Sequence, residues 1–105
     1  MRRRQDLFEG KELFEHVLGT IRELVRSLQY IVTLHADEEM DEDDLSIFDV
    51  ESALLTGEIK ERQRDILTEE WKYRVVGVTI EGGKVNVVVK VGATGKLVII
   101  TVYAD

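Results

Sequence analysis

The chain has 105 residues, a formal net charge of −7, and neither cysteine nor proline. This length fits one domain with a single core. The lack of cysteine excludes disulfides, thiolate zinc sites and cysteine nucleophiles, and no apolar run approaches the roughly 20 residues that span a bilayer.

The excess acidity is confined to one short segment. Residues 35–51 contain nine acidic side chains and no lysine or arginine, whereas residues 1–34 and 52–105 each carry one more basic than acidic side chain. This distribution excludes a nucleic-acid binder that works by overall charge alone, but it permits a local basic face. The basic start at Arg2–Arg4 is followed by Asp6 and Glu9 in place of an apolar signal-peptide region, so we expect a cytoplasmic protein.

The first predicted element is an amphipathic helix over residues 11–29, with residues 1–10 as a flexible N-terminus. Its apolar side chains recur at the spacing of one helical face, and charged residues occupy the other face. Gly19 lies inside this helix at a cost of about 1 kcal/mol relative to alanine. We therefore expect another backbone to pack closely there.

A short strand is predicted over residues 30–34, followed by one or two helical turns in which Ala36 and Met40 are spaced four residues apart, as on one helical face. Ser46 and Asp49 match a capping box, which predicts a second helix over residues 47–56.

After Gly57 the hydrophobic period changes from about 3.6 to 2, which predicts strands. Two hairpin signals, Gly82-Gly83 and residues 92–95, separate the strongest of them. The predicted strands cover residues 58–63, 71–80, 84–91 and 96–103, with a charged loop over 64–70. The expected fold class is α+β, with N-terminal helices packed on a four-stranded antiparallel meander within a single domain over residues 11–105.

The last two strands are apolar on both alternating faces, as in Val87-Val88-Val89. A sheet with one face in water should instead alternate between apolar and polar residues. Either helices cover both faces or a second copy covers one of them, so a homodimer stays open as an alternative.

The acidic segment does not match a metal site. An EF-hand loop that starts at Asp41 or at Asp37 lacks the required glycine and the last acidic ligand. His35 and Glu39 are spaced to ligate one ion, but no second histidine lies nearby. No nucleotide-binding glycine motif is present. We expect neither a metal nor a cofactor.

Two features carry candidate chemistry. Arg62 and Arg64 precede Trp71 and Tyr73, and a hairpin would bring these arginines and aromatic rings onto neighbouring strands, where they could hold RNA phosphates and stack a base. The simpler interpretation is a charged edge strand with aromatic anchors. His35 is a candidate acid or base, or else a half-buried histidine at the start of a helix.

Several segments together resemble one known family, the domain of unknown function numbered 4258. The order and spacing of these segments carry the resemblance over about residues 21–103, and they are Leu34–Met40, Ile47–Val50, Leu55–Ile59 and Ile99–Tyr103. Glu61–Asp65 and Glu70–Tyr73 resemble one bacterial branch of it. Glu39 departs from the pattern, since many members carry arginine there.

That family is similar to the RelE/ParE-type toxin superfamily, which implies toxin–antitoxin biology with an antitoxin-like partner and RNA as substrate. The leading hypothesis is therefore a toxin-like, metal-independent endoribonuclease. Its predicted site residues are His35 as acid or base, Arg62 and Arg64 on the phosphate, and Tyr73 or Tyr103 against a base. The alternative is a non-catalytic interaction module or homodimer that binds a basic partner through the acidic segment.

Overall fold

The computed structural model describes the backbone of residues 2–105 and the side chains of residues 11–105. Three helices and five strands follow one another along the chain, namely α1 (Arg2–Arg26), β1 (Tyr30–Val32), α2 (Leu34–Glu42), α3 (Ile47–Thr56), β2 (Glu58–Arg64), β3 (Trp71–Val78), β4 (Lys84–Val91) and β5 (Leu97–Ala104). The α+β class is confirmed. In the described part of the chain, no helix has the length and apolar character needed to cross a membrane.

The sheet has five strands in the order β1-β5-β4-β3-β2. The last four strands pair antiparallel with their neighbours along the chain, as predicted. The predicted four-stranded antiparallel sheet is nevertheless wrong, because β1 adds a fifth strand parallel to β5, with Tyr30 opposite Leu97 and Val32 opposite Ile99. The sheet is therefore mixed. Strand β1 lies within the range predicted as a short strand, 30–34, but its pairing with residues more than sixty positions away leaves no local pattern.

Helix α1 ends at Arg26, three residues before the predicted end. Leu28 adopts a left-handed conformation with φ 58°, and the amide of Gln29 donates back to the carbonyl of Leu24 at 2.8 Å. This hydrogen bond and the left-handed residue close the helix terminus, where glycine is the usual residue. The helix begins at Arg2, ahead of the predicted residue 11. The predicted flexibility of residues 1–10 stays a prediction, since their side chains lie outside the described part.

The helix predicted over residues 47–56 is confirmed together with its capping box. The Ser46 hydroxyl accepts from the Asp49 amide at 3.2 Å, and a carboxylate oxygen of Asp49 accepts from the Ser46 amide at 3.0 Å. The other carboxylate oxygen of Asp49 accepts from the amide of Ile80 at 3.2 Å. One carboxylate therefore joins the start of α3 to the β3–β4 turn.

Helix α2 closes the edge of the sheet where β1 stops. β5 extends beyond β1, which leaves the amides of Val102 and Ala104 without a neighbouring strand. The Glu39 carboxylate accepts from Val102 at 3.1 Å, and the Asp43 carboxylate accepts from Ala104 at 2.9 Å. Unpaired amides at a sheet edge would otherwise invite another chain. Part of the acidic segment is thus structural.

The hydrophobic core lies on one face of the sheet. Alternate residues of β3, β4 and β5 are buried there, and side chains of all three helices join the same cluster. The residues between them, such as Val76, Val88 and Val98, point to the opposite face and are only half-buried. The helices therefore cover one face. The homodimer stays a prediction.

Two glycines let α3 approach the sheet closely. A Cβ atom on Gly77 would collide with the backbone carbonyl of Ala53 in α3, and one on Gly57 would collide with that carbonyl and with Val76. By contrast, a Cβ on Gly19 would meet nothing within 4 Å. The close backbone approach expected at Gly19 is therefore wrong, and it occurs at Gly77 and Gly57.

Gly77→Ala should strongly destabilise the fold, because the helix backbone cannot move away from one strand without losing its other contacts. We expect a loss of about 3 kcal/mol in the free energy of unfolding. Gly19→Ala is the matched control, and it should gain about 1 kcal/mol because alanine favours an open helical position. Urea unfolding of both variants checks this, and similar effects at the two sites would contradict the packing described.

Asp49→Asn should change how stability depends on pH. The amide of Ser46, and then that of Ile80, hold the pKa of the Asp49 carboxyl below its usual range. A lowered folded-state pKa stabilises the protein above the unfolded value of about 3.9 and loses this effect as pH falls through the folded value. The melting temperature of the variant should therefore lie below that of the wild type at pH 7, with the gap narrowing below about pH 4. Parallel curves from pH 7 to pH 2 would contradict it.

Candidate functional site

Arginines and aromatic rings meet at one corner of the sheet. In the β2–β3 pair Arg62 lies opposite Tyr73 and Arg64 lies opposite Trp71, so all four side chains share the helix-covered face. The guanidinium carbon of Arg62 lies 4.1 Å from the centroid of the Trp71 ring, and that of Arg64 lies 5.7 Å from it. Both distances fit cation–π contacts. The predicted arginine–aromatic juxtaposition is therefore present.

A hollow of about 410 Å³ opens beside Trp71, between helix α1 and the ends of β3 and β4. The indole is 38% exposed. The hollow is lined by His16, Val17, Thr20, Glu69, Glu70, Trp71, Tyr73 and Val91. Tyr73 forms its floor, because it is buried and makes an edge-to-face contact with Phe14 at 6.4 Å between ring centroids. One side of the hollow is thus rigid.

The β2–β3 loop borders this hollow and is held by its own hydrogen bonds. A carboxylate oxygen of Asp65 accepts from the amides of Leu67 and Thr68, and these bonds, that of Thr68 first, hold the pKa of Asp65 below its usual range. Glu69 adopts a left-handed backbone with φ 59°. Ile66 and Leu67 are 92% and 94% exposed at the tip. The β2–β3 loop is thus held by internal hydrogen bonds and exposes two apolar side chains to solvent.

Four of the five basic residues of β2 and β3 separate onto two faces, and the fifth, Lys60, pairs with Glu58 at 3.2 Å. Lys72 and Arg74 point to the face opposite Arg62 and Arg64. There Arg74 donates to the Asn86 side chain at 2.9 Å and approaches Glu61 at 3.4 Å, while Lys72 approaches Asp65 at 3.9 Å. Among the described residues Arg62 has no ion-pair partner, and Arg64 approaches only Glu69, at 3.9 Å. Of the described basic residues on these two strands, Arg62 is thus the one without an ion-pair partner, and it lies at the Trp71 corner.

His35 lies far from that corner. It belongs to the first turn of α2, which packs on β5, whereas Arg62 and Arg64 lie on β2, three strands away. At about 4.8 Å per strand this separation is about 14 Å across the sheet. Its side chain is 66% exposed, with Nε2 at 3.2 Å from the Glu39 carboxylate. The structure does not bring His35 together with the arginines.

Tyr103 is also separated from the arginines. It lies on β5 opposite Asn86, on the face that carries Arg74. Of the five predicted site residues, the structure therefore groups Arg62, Arg64 and Tyr73.

His16 lines the hollow, although no sequence pattern singled it out. It is exposed on α1, on the polar side that the helical period predicts. The missing information is the direction in which α1 lies across the sheet, because only this direction sets His16 beside Trp71. In the described part of the chain, no three histidine or acidic side chains converge as ligands for a metal ion.

Comparison with known protein families identifies a matching family model. The family model described as "Domain of unknown function (DUF4258)" matches residues 32–104. The match includes α2, α3 and strands β2 to β5, and therefore Arg62, Arg64, Trp71 and Tyr73. Neither the curated proteins nor the solved structures contain a significant match. Because the matched region covers well over half of the 105 residues, this chain belongs to the DUF4258 family.

Proposed function

We propose that this chain is a toxin-like protein of a toxin–antitoxin type system, and that it binds and cleaves single-stranded RNA at the Trp71 corner without a metal ion. The observation that carries this proposal is the pair of arginines at 4.1 and 5.7 Å from an exposed indole, next to an open hollow. The toxin context is an expectation that comes from the resemblance to RelE/ParE-type toxins stated in the sequence analysis.

Arg62 and Arg64 suit a phosphate backbone. They are two residues apart on one strand, so their side chains point the same way with Cα atoms about 7 Å apart. Guanidinium groups bind phosphate oxygens in a bidentate manner. The spacing fits successive phosphates of an extended strand, and the weak approach of Glu69 to Arg64 is easily displaced.

Trp71 suits a nucleobase. Single-stranded RNA is recognised largely by stacking of unpaired bases on aromatic side chains, at about 1–3 kcal/mol per base. The hollow beside the indole falls within the usual range of about 300–1,000 Å³ for small-ligand sites. It would hold one base while the backbone follows the arginines.

The second candidate is a non-catalytic module that binds a basic protein through the acidic segment, and several acids of that segment are already engaged within the chain. Glu39, Asp43 and Asp49 accept hydrogen bonds from the chain's own amides. Glu51 is likewise occupied, because it accepts from the Tyr30 hydroxyl at 2.7 Å; burial first, and then this bond, raise the pKa of Tyr30 to about 12. The remaining acids on α2 face solvent. The patch available to a partner is thus smaller than the sequence suggests.

Substitutions at the corner should weaken RNA binding in two different ways. Trp71→Ala should cost about 1–3 kcal/mol, because a stacking surface is lost. Arg62→Ala and Arg64→Ala should each reduce the slope of log K against log salt by about 0.7. Fluorescence polarisation with a labelled single-stranded oligoribonucleotide at several salt concentrations measures both effects.

Lys84→Ala is the matched control for charge, since Lys84 is exposed at the other end of the sheet. It should leave the affinity and the salt slope unchanged. Cleavage of the same oligonucleotide in the presence of a chelator tests the metal-independent activity. If the wild type fails to bind RNA and instead binds basic proteins through α2, the interaction module replaces the nuclease.

A further inference from the structure

The chain contains two histidines, and only one of them lies at the proposed RNA site. Metal-free RNA cleavage benefits from a positioned acid or base, a role most often taken by histidine at neutral pH. His35 is separated from the arginines by three strands, and its Nε2 faces Glu39. His16 lines the same hollow as Trp71 and Tyr73.

The elements around His16 fix its place relative to that hollow. Val17 and Leu18, its neighbours on α1, pack against the core together with Phe14, which contacts the ring of Tyr73. The helix is therefore held to the sheet directly beneath His16. His16 is exposed to solvent and lines the hollow.

We propose that His16 is the general base for RNA cleavage at the Trp71 corner, an inference that depends on the proposed function above. The 2′-hydroxyl proton moves to the imidazole, and its oxygen forms a bond to phosphorus. The bond from phosphorus to the 5′ oxygen then breaks, and that oxygen takes a proton from solvent. The products are a 2′,3′-cyclic phosphate and a 5′-hydroxyl, and the imidazolium returns its proton to water.

Other charged groups face the same space and help to place the substrate. The carboxylates of Glu69 and Glu70 approach from the β2–β3 loop, and those of Glu15 and Glu23 flank His16 along α1. Glu70 is held by Lys90 at 3.2 Å. The charges of Glu15 and Glu23 disfavour a phosphate farther along α1, whereas Arg62 and Arg64 attract one on the β2 side. A base stacked on Trp71 would then direct its ribose toward His16.

The experiment compares single-turnover cleavage and binding of one fluorescent oligoribonucleotide by the full chain and three variants. His16→Ala should slow cleavage at least about 100-fold, the lower range for loss of a general base, with unchanged affinity. Added imidazole should restore part of the rate, which a merely structural histidine would not allow. Arg26→Ala is the control, because it removes an exposed cation farther along the same helix. His35→Ala tests the competing assignment, in which His35 is the general base.

Each result separates the inference from the proposed function. Cleavage lost in His35→Ala and retained in His16→Ala would overturn the inference in favour of His35. Cleavage retained in both would show that no histidine acts as the base, while the proposed function stands. RNA binding without cleavage by the wild type would overturn both the inference and the nuclease activity. Absence of RNA binding would overturn the proposed function itself.

Discussion

The arrangement of the helices depends on the close approach of α3 to the sheet at Gly77. There the backbone of Ala53 occupies the space that any side chain on the strand would need. With α3 held at that distance, its buried side chains meet those of β3 and β4, and α1 packs against α3 and the neighbouring strands. The position of α1 sets the width of the hollow beside Trp71. Helix α1 is thus positioned both by α3 and by its own contacts with the sheet, such as that of Phe14 with Tyr73.

Local patterns predicted most of the elements because their causes lie within a few residues. The capping box at Ser46 fixes the start of α3, and the change of period after Gly57 marks the start of the strands. The pairing of β1 with β5 could not be predicted in this way, since it depends on the exposed edge of a strand far along the chain. The end of α1 was also missed, because Leu28 takes a conformation usually left to glycine.

Part of the candidate site could likewise be predicted from the sequence, and part of it could not. Arg62, Arg64 and Tyr73 could be grouped from the sequence, because alternation along two strands joined by a short loop places them on one face. The proximity of His16 to Trp71 could not be predicted from the sequence, since it depends on how a helix lies across the sheet. His35 was a candidate because histidine is the side chain most often used for acid–base catalysis near neutral pH. The strand order places His35 far from the arginines, and strand order cannot be derived from a local sequence pattern.

The net charge of −7 is compatible with an RNA site because the acidic helix α2 and the two arginines of β2 lie at opposite edges of the sheet. The acidic helix α2 lies along β5, while Arg62 and Arg64 lie on β2, about 14 Å away by strand spacing. This separation exceeds the screening length of about 8 Å at physiological ionic strength. Repulsion from α2 is therefore largely screened at the Trp71 corner, whereas the arginines would act on a bound phosphate at contact distance. At lower ionic strength the same asymmetry would turn an approaching polyanion away from α2 and toward β2.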